Sequence, residues 1–122
     1  MANPNIVSVT NIYGKVAGQA VTTSAAAIVT NASSSGKIYK INSLIIANID
    51  GSSAADITAT VYKNQATEYH LAKTVVVPAD ATLVLLSKDT SIYLEENDSI
   101  RLTASANSDL EAVCSWEEID AS

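Results

Sequence analysis

The chain has 122 residues, 48% of them apolar, yet no Phe and one Trp, so it supports one domain whose core is built from Ala, Val, Ile and Leu. Thirteen acidic against seven basic residues give a formal charge of -6, which opposes the electrostatics that dominate nucleic-acid affinity and excludes DNA or RNA as the primary partner. The single Cys114 excludes an internal disulfide, and no apolar run approaches the roughly 18 residues of a membrane helix.

Short β-branched runs broken by Gly, Asn, Asp, Ser or Pro predict an all-β fold. We expect a single-domain antiparallel β-sandwich, jelly-roll-like, of about eight strands spanning residues 1–122. The N-terminal MANPNIVSVT has neither a basic region nor a long apolar run, so no secretory leader is expected. The first strand is expected over Ile6 to Tyr13 and the next over Ala20 to Thr30, broken at the alanines. Residues 16–36 are small and poor in apolar anchors, so residues 1–36 read as an arm or edge segment that contacts neighbours. Lys37 to Ile49 follows; it is apolar on both faces around Leu44 to Ala47, as in a central strand or one whose outer face meets another subunit. The loop DGSSAAD, Asp50 to Asp56, offers oxygens to calcium. It lacks the alternating ligands of a calcium loop, so a turn capped by Asp50 with Gly51 left-handed is the better account.

Asp56 to Lys63 alternates Ile57, Ala59 and Val61 against Thr58, Thr60 and Tyr62. The lone histidine, His70, opens a strand to Val77 beside Glu68 and Tyr69, which make no ligand or dyad motif. Strands over Thr82 to Ser87 and Ser91 to Leu94 lead to the turn EEND, and Ser99 to Ser105 leaves it. In that turn Asn97 is suited to positive φ and Asp98 to hydrogen bonding the turn backbone. Leu110 to Ile119 alternates Leu110, Ala112, Cys114 and Trp116 against Glu111, Ser115 and Glu117. Ile92, Leu94, Ile100, Leu102, Cys114 and Trp116 are therefore core candidates. Cys114 has no positive neighbour in sequence to activate it. No nucleophile elbow, phosphate loop or metal motif is present, so neither an enzyme nor a cofactor is expected.

Charge is uneven along the chain. Residues 1–88 hold six Lys against four acids (+2), and 89–122 hold one Arg against nine acids (-8). Glu95, Glu96, Asp98, Glu111, Glu117 and Glu118 are the candidate interface, an acidic rim suited to a basic partner or another copy.

The segment VPADATLVLLSKDTSIYLEENDSIRLTASANSDLEAVCSWEEI resembles the C-terminal half of small β-sandwich virion proteins of tailed bacteriophages. The pattern is a Pro-Ala start, an apolar strand, a Leu-Glu-x-Gly-Asp turn, then Ser or Thr, Ile, Arg and a small-residue strand. Here it reads Pro78, Ala79, then Leu94, Glu95, Asn97, Asp98, Ser99, Ile100, Arg101 and Ala104, with Asn97 in place of the commoner Gly. The upstream SGKIYKINSLIIANID is similar too. The resemblance implies a virion structural subunit without catalytic residues, assembled in the host cytoplasm. It implies a capsid decoration or cement protein that binds the major capsid protein as a homotrimer near three-fold positions. Phages reuse such modules, so a tail, neck or baseplate adaptor or a fibre subunit is an alternative. A host-surface carbohydrate-binding module is another, with Tyr13, Tyr39, Tyr62, Tyr69 and Tyr93 as candidate platforms.

Overall fold

The computed structural model describes residues 3–120. Among them the chain forms β1 (Asn11–Val21), β2 (Ala26–Thr30), β3 (Lys37–Asn48), β4 (Ala55–Lys63), β5 (Thr67–Val77), β6 (Thr82–Leu86), β7 (Ile92–Leu94), β8 (Ser99–Ala104) and β9 (Leu110–Asp120), with one 3-10 turn at Lys88–Thr90. The first half of the chain pairs antiparallel with the second: β1 with β9, β2 with β8, β3 with β6 and β7, and β4 with β5. The chain is thus one long hairpin, rolled up by the further pairings β3 with β9 and β4 with β8. The result is a jelly-roll sandwich of two sheets, β1-β9-β3-β6 with β7 also on β3, and β2-β8-β4-β5. β6 and β7 act as one strand interrupted by the 3-10 turn.

The hairpin tip shows why this sequence folds back where it does. Asn64 and Gln65 both take left-handed φ, 53° and 51°, and the Ala66 N–H donates to the Lys63 carbonyl at 3.0 Å. That is the turn whose twist matches two antiparallel strands. Alternation then fills the space between the sheets. Ile41, Leu44, Ile46, Ile57, Leu94, Ile100, Leu102 and Leu110 are fully buried, and Trp116 stacks on Tyr39 with ring centroids 6.3 Å apart. Five of the six expected core residues lie inside; Ile92 is half-buried and packs against the core.

Three expectations are corrected. The first strand starts at Asn11, because residues from Asn5 form a turn: the Asn5 side chain accepts the Val7 N–H at 3.0 Å and its carbonyl accepts the Ser8 N–H at 3.0 Å. The small-residue stretch from Val16 to Val21 is strand, held by an uninterrupted register with β9 that no local signal announces. Gly51 does not take a left-handed conformation; in the adjoining loop Asp80 does, at φ 60°. Asp50 caps its turn as expected, accepting the Ser52 and Ser53 N–H groups at 2.8 and 3.1 Å. The Leu44 to Ala47 run belongs to a central strand, with Leu44 and Ile46 inward and Ile45 and Ala47 half-buried on the outer face.

Candidate assembly interface

The EEND turn is a structural hub. Asp98 is almost completely buried; its Oδ1 accepts the Asn64 N–H at 2.9 Å, and its Oδ2 accepts the Glu95 N–H at 2.9 Å and the Lys63 ammonium at 2.7 Å. One carboxylate thereby ties the β7–β8 turn to the hairpin tip. Asn97, at φ 71°, donates from its side chain to Asn64 at 3.0 Å, and its N–H donates to the Asn31 carbonyl at 2.7 Å. Buried Asn31 joins the third loop of this end by donating to the carbonyls of Lys37 and Leu94 at 2.9 and 3.0 Å. Glu95 accepts from Lys63 at 2.9 Å and from Asn3 at 2.7 Å, and Glu96 accepts the Gly36 N–H at 2.7 Å. The hydrogen bonds from Lys63 and then Asn3 hold the Glu95 carboxyl below the usual glutamate range. Those to Asp98 and Glu95 hold the Lys63 ammonium above its usual one.

The acidic rim is therefore redistributed. Asp98 faces inward, and so does Glu118, which lies on the inner face of β9 within 3.4 Å of Lys37 and 4.0 Å of Lys15 and accepts the Trp116 indole N–H at 3.2 Å. Neither belongs to an exposed rim. The reason is parity for Glu118, which shares the face of Trp116 and Cys114, and turn closure for Asp98. Glu95 and Glu111 remain exposed, and Glu117 is half-buried, accepting from Asn42 at 3.3 Å.

The other candidates disperse. Tyr39 is core and Tyr62 lies under the Arg101 guanidinium at 4.6 Å, while exposed Tyr13, Tyr69 and Tyr93 sit on β1, β5 and β7 and build no common platform. His70 is exposed on β5. Burial pushes the Cys114 thiol up to about 12, which leaves it inert as a nucleophile. At the opposite end of the sandwich, hydrogen bonds from the Ser52 N–H and hydroxyl hold Asp50 below the usual aspartate range. A groove of about 600 Å³ opens where β6 gives way to the 3-10 turn, lined by Lys40, Asn42, Ser43, Leu86, Lys88 and Glu117 among others.

The edges of the two sheets differ more than their faces. β2 has five residues and a register shift between Ala27 and Val29. β5 carries two register shifts against β4, and at one of them Thr74, a β-branched residue, is held at φ 48° with its N–H on the Thr58 hydroxyl at 3.1 Å. The β6 and β7 edge is broken by the 3-10 turn. Interruptions of this kind blunt an edge against pairing with another chain. β1 has none: eleven residues run in continuous register with β9, and Ile12, Tyr13 and Val16 are 55%, 49% and 68% exposed. Sequence reasoning read residues 1–36 as an arm or edge segment and missed this strand, because Gly14, Gly18 and the alanines blank out the alternation and only the pairing with β9 reveals it.

No protein-family model matches the chain, and no curated protein matches it. Among solved structures, one from work on Bacillus endospore appendages, described as a novel family of disulfide-linked pili, is similar over 92% of this chain and 88% of its own, with 17% identity and a TM-score of 0.56. At that identity the likeness concerns the fold, a β-sandwich across nearly the whole chain.

Proposed function

We propose that this chain is a non-enzymatic structural subunit that works by binding in many copies to a larger assembly. The assembly is the virion of a tailed bacteriophage, and the subunit decorates its capsid, binding the major capsid protein and stabilising the shell. The observation that carries the reading is the contrast between engaged polar chemistry and an open edge. The buried polar groups Asp98, Asn31 and Glu118 are spent on holding loops and strands together, whereas β1 offers an unbroken strand with apolar side chains in solvent. The resemblance of the Leu94 to Ala104 pattern to that of phage virion proteins, with Asn97 in place of the commoner Gly, supports the choice of assembly. A decoration protein stabilises a shell by binding the assembled state in preference to free subunits, and many weak contacts add by avidity.

A second reading, a subunit of a surface filament, is favoured by the likeness to a pilus protein. In that reading the contacts between subunits differ from those of a disulfide-linked pilus, because the one cysteine here is buried. The test is to remove the chain from its particle and add the purified protein back. Saturable rebinding that raises the temperature at which the shell opens is the expected result. Failure to rebind, or growth of the purified protein into fibres, rejects decoration in favour of the alternatives.

A further inference from the structure

Two of the four glycines of the chain, Gly14 and Gly18, lie inside β1, where glycine weakens a strand. The subunit does not account for them. Neither has positive φ; a Cβ added at Gly14 would meet nothing within 4 Å, and one at Gly18 would meet only the Ala112 carbonyl at 3.9 Å. They share the outer face of the sheet with Ile12, Val16 and Ala20. Beside Gly18 and Ala20 the missing side chains leave a trough of about 270 Å³, bounded by Glu111, Ala112 and Val113.

We infer that β1 pairs with β1 of a second copy, antiparallel, about a two-fold axis perpendicular to the sheet at Val16. This rests on the reading of the chain as an assembling subunit and names the partner of its open edge. Antiparallel pairing centred on Val16 uses all eleven residues, an edge of about 35 Å at the rise of an antiparallel strand. It sets Ile12 opposite Ala20 of the other copy, Gly14 opposite Gly18, and Val16 opposite Val16. Each exposed Ile12 then meets the small residues that leave the trough, with a large side chain matched to a space. On the inner face Tyr13 meets Gln19 and Lys15 meets Ala17, so no like charges are opposed. Centring the pair one residue earlier would set two Lys15 ammonium groups against each other. The other edges, interrupted by bulges, short length or the 3-10 turn, offer no run of eleven residues in unbroken register: β5 is as long as β1 but is shifted twice against β4. The pair closes on itself and extends β1-β9-β3 across the axis into one continuous sheet.

Sedimentation velocity of the purified chain tests the pairing. The expected species has twice the subunit mass of 12.7 kDa, and Val16→Lys, at an exposed position, weakens it by more than about tenfold while the far-ultraviolet β signal is retained. Val16→Cys is expected to give a covalent dimer under mild oxidation, and Tyr93→Cys, on another edge, is not. A monomer that Val16→Cys does not cross-link, or a trimer indifferent to Val16→Lys, overturns the inference. Neither of those results bears on whether the chain rebinds the particle. Conversely, a confirmed β1 pair on a protein that never binds a shell would reject decoration and leave the pairing standing.

Discussion

The two regions that matter most use opposite physics. Around Asp98, three loops of one sandwich end are cross-tied through two buried side chains, Asp98 and Asn31, each bonded to several partners, so removing either leaves buried groups unpaired. Along β1, strand order comes from a single neighbour, β9, and most side chains reach into solvent. A hub of the first kind gives a subunit its shape. An edge of the second kind contributes little to that shape and is free to be used by another chain.

The contrast sharpens into a ranked set of substitutions. Ile100→Asp places a carboxylate at a fully buried position one strand step from the hub, and it should leave no folded subunit by circular dichroism. Asp98→Ala should lower unfolding stability in urea by about 3 kcal/mol, because it leaves Lys63 and two backbone N–H groups without their carboxylate. pH acts on the same hub. Glu95 titrates below its usual range, so its contribution is complete above the ordinary glutamate pKa and is lost as pH falls through the lowered value. Lys63 titrates above its usual range, so its contribution holds below the ordinary lysine pKa and is lost as pH rises through the raised one. Urea midpoints measured across pH should therefore be flat through neutrality and fall at both ends, and Asp98→Ala should flatten the alkaline limb. Thr74→Gly should raise stability by up to about 1 kcal/mol, since glycine relieves the left-handed strain but adds unfolded-state freedom. On β1 the effects should be smallest: Gly14→Ala is expected to stabilise the isolated subunit by about 0.5 kcal/mol, read by thermal melting of a Val16→Lys background that keeps it monomeric. A loss of several kcal/mol there would place Gly14 inside the subunit's own folding requirements and erase the distinction.

The sandwich was legible in the sequence because alternation is a local signal. Leu110, Ala112, Cys114 and Trp116 could be set inward from spacing alone, as could Ile100 and Leu102. The turn at Asn97 and Asp98 was legible for the same reason, since both residue types close turns by their own chemistry. What local reading missed was set by distant partners. Asp98 reads as one of several acids, and its burial depends on Lys63 and Asn64, more than thirty residues away. Glu118 is a partial exception: parity with Trp116 already sets it inward, but its charge reads as surface until Lys37 and Lys15, distant in sequence, are seen to face it. β1, rich in Gly and Ala, has little strand signal of its own and is ordered by β9 from the other end of the chain.

Cryo-electron microscopy of the intact particle that carries this chain tests the central claim most directly. Decoration predicts its density at repeated positions over the capsid surface, seated on the major capsid protein. Density confined to the neck, tail or fibres, or a filament built from the chain alone, would contradict it.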